Sequence, residues 1–146
     1  MLPATTRRSL PMSLLRAREV IMAHFRPMLM AHEVTEQQWR VLRVLAETRS
    51  VDASELAERA SILPPSLTRI IRTLQDRKLI TRGRLDEDGR RVILNITPAG
   101  LELLDKLAPE RRAIYQAIED RYGSEKLQAL LDLLDDLIRS ETDARQ

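Results

Sequence analysis

Apolar residues recur at helical spacing along most of the chain and switch to alternation in one stretch, between residues 79 and 96. Leu14, Ile21, Phe25 and Met28, with Leu15, Met22 and Leu29 beside them, predict a first helix that starts near Ser9. Pro11 falls in its first turn, where a missing N–H does no harm, and Pro27 is expected to kink or end it near its last turn. Thr35-Glu36-Gln37-Gln38 has the form of a capping box and opens a second helix running through Trp39, Leu42, Val44 and Leu45 to about Glu47. Asp52 is placed to cap a short third helix over 53–60, with Glu55 three residues on, Val51 and Leu56 as a hydrophobic staple, and Leu56, Ala57 and Ala60 as its buried stripe. Only Ser61, Ile62 and Leu63 separate it from a fourth helix over 64–77. There Pro64 and Pro65 occupy the first turn, and Leu67, Ile70, Ile71 and Leu74 form one apolar face.

The alternating stretch predicts two strands, 79–84 and 92–96, joined by a charged loop over 85–91. Asp88-Gly89 is a tight-turn pair and puts the hairpin tip around residues 86–90. Val92, Leu94 and Ile96 alternate with Ile93 and Asn95, which suits a strand with one buried face. Thr97-Pro98 then supplies a cap and first-turn proline for a long fifth helix through Leu101, Leu104, Leu107, Ile114 and Ile118, with a bend expected at Pro109. Gly123-Ser124 breaks the chain before a last helix carrying Leu127, Leu130, Leu131, Leu134, Leu137 and Ile138. The expected fold class is mainly α with a small β-hairpin: a helix-turn-helix and hairpin over 35–100, flanked by helices at 9–31 and 101–140, in one chain of 146 residues.

Composition narrows the picture. At 43% hydrophobic residues, the chain can fill a core for one domain. There is no cysteine, which removes disulfides, zinc fingers and thiol redox chemistry. No apolar run approaches the roughly 18 to 20 residues that span a membrane, and the first residues lack the apolar core of a signal peptide, so the expected location is cytoplasmic and no membrane partner is expected. His24 and His32 stand eight residues apart, roughly 80° around an ideal helix, with neither metal-binding nor triad context. Without a cysteine nucleophile or a Gly-rich phosphate loop as well, no enzyme, metal or cofactor is expected.

The net charge of +2 is unevenly spread. Residues 59–91 hold nine Arg or Lys against four acids, whereas residues 119–146 hold four against eight. That concentrates positive charge on the fourth helix and the hairpin, a face suited to phosphates. The polar side of the fourth helix carries Pro65, Ser66, Thr68, Arg69 and Arg72 as candidates for the DNA major groove, since arginine can bind guanine bidentately and short hydroxyls reach base edges or phosphates. Arg90, at the hairpin tip, suits a narrow minor groove, and Asp88 is placed to orient it. Arg82, Arg84 and Arg91 are candidates for phosphates, and so is Ser54 in the first turn of the third helix, where the alternative is a competing helix cap. The bland alternative for the whole surface is a solvated, charged face.

Asp88-Gly89-Arg90-Arg91-Val92-Ile93-Leu94-Asn95-Ile96-Thr97-Pro98-Ala99-Gly100 resembles the wing signature of the MarR family, D-x-R-x-x-x-V-x-L-T-x-x-G, with aliphatic replacements at Leu94 and Ile96. Leu56-Ala57 and Ser66-Leu67-Thr68-Arg69 are similar to the family's helix-turn-helix. Leu14-Leu15-Arg16-Ala17-Arg18-Glu19, Phe25-Arg26-Pro27 and Thr35-Glu36-Gln37-Gln38-Trp39-Arg40 resemble the subgroup that represses homoprotocatechuate (3,4-dihydroxyphenylacetate) degradation operons. The resemblance implies a winged helix-turn-helix repressor, a homodimer formed by the flanking helices, double-stranded palindromic operator DNA as partner, and release by a small phenolic acid.

Such an effector needs a cation for its carboxylate and an apolar slot for its ring. Arg16, Arg40 and Arg43 are the candidate cations on the first two helices, Phe25 and Trp39 the aromatics, and His24 a candidate partner for a phenol, while ordinary interhelical ion pairs would explain the same arginines. Two other readings remain: a winged-helix module that binds protein instead of DNA, and a MarR-type regulator of a stress or efflux pathway.

Overall fold

The computed structural model describes residues 8–48, 50–84 and 91–145, with only the backbone of Arg84. The hairpin tip, including Asp88 and Arg90, lies outside the described residues. The elements run α1 (Leu10–Ala31), α2 (Glu36–Glu47), β1 (Val51–Asp52), α3 (Ala53–Ala60), α4 (Pro64–Asp76), β2 (Ile80–Arg84), β3 (Val92–Ile96), α5 (Pro98–Tyr122) and α6 (Ser124–Asp143).

Helix ends follow local chemistry. The Ser9 hydroxyl accepts the Met12 N–H at 3.4 Å to open α1, and the helix ends at Ala31, one turn beyond Pro27. At α2 the capping box is complete: the Gln38 N–H donates to Thr35 Oγ1 and the Thr35 N–H to Gln38 Oε1, each at 3.1 Å. Replacing Thr35 with alanine is expected to lower stability by about 1 kcal/mol, read as a shift in the urea midpoint. A full-strength midpoint in that variant would remove the cap's role. Asp52 caps α3 through its Oδ1, which accepts the Glu55 N–H at 2.8 Å. Helix α4 has no side-chain cap, but Pro64 and Pro65 in its first turn carry no N–H to satisfy.

The sequence pattern predicts a two-stranded hairpin; the sheet has three strands, in the order β1-β3-β2. Residues Val51 and Asp52, read as staple and cap, also pair antiparallel with Leu94 and Ile93. Strand β3 therefore lies in the middle, bounded on its other side by β2 in the register Ile80↔Ile96 to Arg84↔Val92. A central strand has neighbours on both sides, and Ile93 and Leu94 are both buried, where alternation alone predicts a single covered face.

The chain divides into two compact units, residues 1–109 and 110–146. In the first, one core joins Val41, Leu42 and Leu45 of α2, Leu56, Ala57 and Ala60 of α3, Leu67, Ile70, Ile71 and Leu74 of α4, and Val51, Ile80 and Leu94 of the sheet. Leu103 and Leu104 of α5 pack against it. The root of the hairpin is fastened at one point: the Thr97 hydroxyl donates to the Lys78 carbonyl at 2.8 Å and accepts the Gly100 N–H at 3.1 Å, while the Thr97 N–H donates to the Leu79 carbonyl at 3.0 Å. In the second unit, α6 has no buried residue. Leu133 and Ile138 are more than half exposed, and Leu130 and Leu131 are also open to solvent.

Candidate nucleic-acid interface

Helices α3 and α4 meet across Ser61, Ile62 and Leu63, with Ser61 in the left-handed region (φ 54°) and Ile62 buried under the turn. The guanidinium of Arg40 reaches this turn from α2 and donates to the carbonyls of Ala60 at 2.8 Å and Ser61 at 3.1 Å. It thereby satisfies acceptors that the end of α3 leaves open. At the far end of α4, the Arg77 guanidinium donates to the Glu33 carbonyl at 2.7 Å and to Gln38 Oε1 at 3.3 Å, tying that helix end to the α1–α2 connection.

The core takes Leu67, Ile70, Ile71 and Leu74, which turns the opposite side of α4 outward. Pro65, Thr68, Arg69 and Arg72 are exposed and Ser66 is half-buried, so this face is solvent-accessible, as the sequence pattern predicts. The Thr68 hydroxyl donates back to the Pro64 carbonyl at 3.1 Å. Thr68, Arg72 and Gln75 line a small concavity of about 120 Å³ together with Ala53, Ile71 and Arg82. Arg82 of β2 and the polar face of α4 thus share one surface. Gln75 belongs to it and was missed, although its spacing from Thr68 and Arg72 (i, i+4, i+7) was a legible signal.

Ser54 is exposed in the first turn of α3, where Asp52 supplies the cap, so the Ser54 side chain is not the capping group. Arg84 lies in β2 by its backbone. Arg91, read as a phosphate candidate, donates from Nη2 to Asp52 Oδ2 at 2.8 Å, and its side chain is exposed. The Arg91 guanidinium, with the Glu55 amide second, holds the Asp52 carboxyl below the usual carboxylate range.

The effector candidates separate in the same way. The Phe25 and Trp39 rings are buried and meet at 5.7 Å between centroids, tilted by 34°. The Arg43 guanidinium lies over the Trp39 ring at 5.4 Å, and Arg43 is exposed. These three form one cluster of aromatic floor and open cation. Arg16 and His24 are exposed on α1. Arg40, the remaining candidate cation, has its guanidinium engaged with the helix-turn-helix carbonyls. Among the described residues no cluster of His, Cys, Asp or Glu could hold a metal, and no helix is long and apolar enough to cross a membrane.

A two-helix unit joined by a tight turn, with its second helix presenting arginines beside a cationic hairpin, defines a winged helix-turn-helix protein. The MarR family model matches residues 34–92. The chain is 41% identical over 133 residues to the HTH-type transcriptional regulator FarR of Neisseria gonorrhoeae, covering 91% of both chains. It is 40% identical over 130 residues to the homoprotocatechuate degradative operon repressor of Escherichia coli, covering 89% of this chain and 88% of the relative. The crystal structure of NadR in complex with 4-hydroxyphenylacetate superposes with a TM-score of 0.82 at 40% identity, covering 94% of this chain and 97% of that one. The chain belongs to the MarR family and is a transcriptional regulator of that type.

Proposed function

We propose that this regulator represses an aromatic catabolic operon of the homoprotocatechuate or hydroxyphenylacetate type, and that a phenolic acid releases it from a palindromic operator. The observation that carries the DNA half is the shared surface of α4 and Arg82, a row of exposed donors set on a rigid core. Its α4 residues Ser66, Thr68, Arg69 and Arg72 read base edges in the major groove, and Arg82 and Arg84 grip phosphates, with Arg90 in the adjacent minor groove. Two such surfaces require two protomers. Apolar residues left open on α1 (Leu10, Met12, Leu15 and Val20) and on α6 (Leu130, Leu133 and Ile138) support dimerisation through residues 9–31 and 101–140. A homodimer reads an operator that is itself two-fold symmetric.

The effector half rests on two similarities, to a repressor named for homoprotocatechuate and to NadR crystallised with 4-hydroxyphenylacetate. In this chain Arg43, exposed over the buried Phe25–Trp39 pair, supports the reading as a cation for a carboxylate. The acid acts by binding the DNA-incompetent dimer more tightly, which shifts the population away from the operator.

The test is fluorescence anisotropy with duplex DNA from the region upstream of the gene, titrated with 3,4-dihydroxyphenylacetate and 4-hydroxyphenylacetate. Palindrome-dependent binding released by one acid is the expected result. Binding that none of the acids releases would discard the effector and turn attention to a stress or efflux pathway. Absence of specific binding would favour a protein-interaction module. With the released complex in hand, Arg43→Ala is expected to weaken acid binding at least tenfold by calorimetry while leaving DNA affinity within about threefold, on the order of the loss of one charge-assisted contact. Full acid affinity in that variant would remove Arg43 from the site.

A further inference from the structure

We propose that Asp52 and Arg91 form a latch that sets the wing on the helix-turn-helix, and that both are positioning residues for DNA recognition. This rests on the DNA-binding reading above. Strand β1 ends at Asp52 because the chain turns there into α3, so its last partner on β3 is Ile93. Arg91 lies two residues further toward the tip, where β1 no longer accompanies the hairpin. The Arg91–Asp52 pair continues the attachment past that point.

Both oxygens of the carboxylate are used. Oδ1 accepts the Glu55 N–H at 2.8 Å and fixes the Asp52 side chain on the first turn of α3, and Oδ2 accepts Arg91 Nη2 at 2.8 Å. A carboxylate anchored by its own helix cap makes a directed acceptor, so the guanidinium it holds is positioned relative to the helix-turn-helix and not only to the sheet. Exposed ion pairs add little to global stability. A hairpin that must enter one groove while α4 enters the next needs its direction fixed before binding, because freedom left in the unbound wing is lost on association.

The latch makes a prediction of opposite sign to simple charge. Removing a carboxylate from a DNA-facing surface strengthens binding on charge alone. Asp52→Asn keeps a good helix cap but gives up the charged acceptor. Operator affinity of the full-length protein should be measured by anisotropy across a series of salt concentrations, for wild type, Asp52→Asn, Arg91→Gln and the double variant, with thermal melts confirming that each is folded. Asp52→Asn is expected to bind about two- to fivefold more weakly than wild type, the range of an exposed pair. The double variant is expected to bind no more weakly than Arg91→Gln, with salt slopes unchanged throughout.

Asp52→Asn binding as tightly as wild type, or more tightly, overturns the latch. So does a salt slope reduced by about one in Arg91→Gln alone, which would make Arg91 a phosphate contact. If wild type itself shows no palindrome-dependent binding, the DNA-binding reading fails and the latch with it, a result distinct from either of the others.

Discussion

Gly100→Ala is expected to destabilise the protein by about 1–3 kcal/mol or more, in the range of an overpacked core, seen as a lower urea midpoint at unchanged m-value. A Cβ at this position would stand 2.4 Å from the Leu79 carbonyl oxygen and 2.6 Å from Ile96 Cγ1. The isoleucine could rotate away. The carbonyl cannot, because it is backbone and already accepts the Thr97 N–H. Relief therefore requires the first turn of α5 to move off the foot of β2, which also strains the Thr97 hydroxyl between Lys78 and Gly100. The loss should extend to operator affinity, since the same residues root the wing. A variant with wild-type stability would mean that α5 shifts at no cost, and the root of the hairpin would be softer than its packing indicates.

Arg69→Ala is expected to weaken operator binding by about 1–3 kcal/mol, roughly five- to 150-fold, and to relax preference at one base pair of each half-site. Arg69 is exposed on the outward side of α4, with the helix behind it anchored by four buried aliphatic residues. The matching control is Arg82→Ala, which should weaken binding to all sequences alike and lower the salt slope by about one, as a phosphate contact does. Anisotropy titrations on the operator and on single-base variants separate the two patterns. If Arg69→Ala leaves affinity unchanged, base reading lies elsewhere on α4.

Much of this surface was legible in the sequence because its determinants are local. The Thr35–Gln38 box, the Asp52 cap, the paired prolines of α4 and the i, i+3, i+4, i+7 face are all settled within one or two turns. The parts that escaped depend on distant neighbours. Strand β1 is two residues long and exists because β3 pairs with it from more than forty residues away. The contacts of Arg40 and Arg91 are equally non-local, because a long cationic side chain does not show its destination, and each finds an acceptor 20 or 39 residues distant. Pro27 stands at the last turn of α1, which ends at Ala31, with Phe25, Met28 and Leu29 buried around it. Packing there outweighs the one backbone bond the proline forfeits.

The two prolines that open α4 also limit how this protein can hold a duplex. A helix usually offers a phosphate the unpaired amides of its first turn, a contact blind to base sequence and fixed by the backbone. Pro64 and Pro65 have no amide hydrogen to offer. In the proposed complex only Ser66 of the first three residues keeps an amide hydrogen, so the approach of α4 to DNA is expected to depend mainly on side-chain reach, above all on guanidinium groups. Side chains change one codon at a time, whereas a backbone anchor does not. Relatives built on the same scaffold could therefore move to new operators by exchanging a few residues of α4, without any alteration in how the helix is mounted.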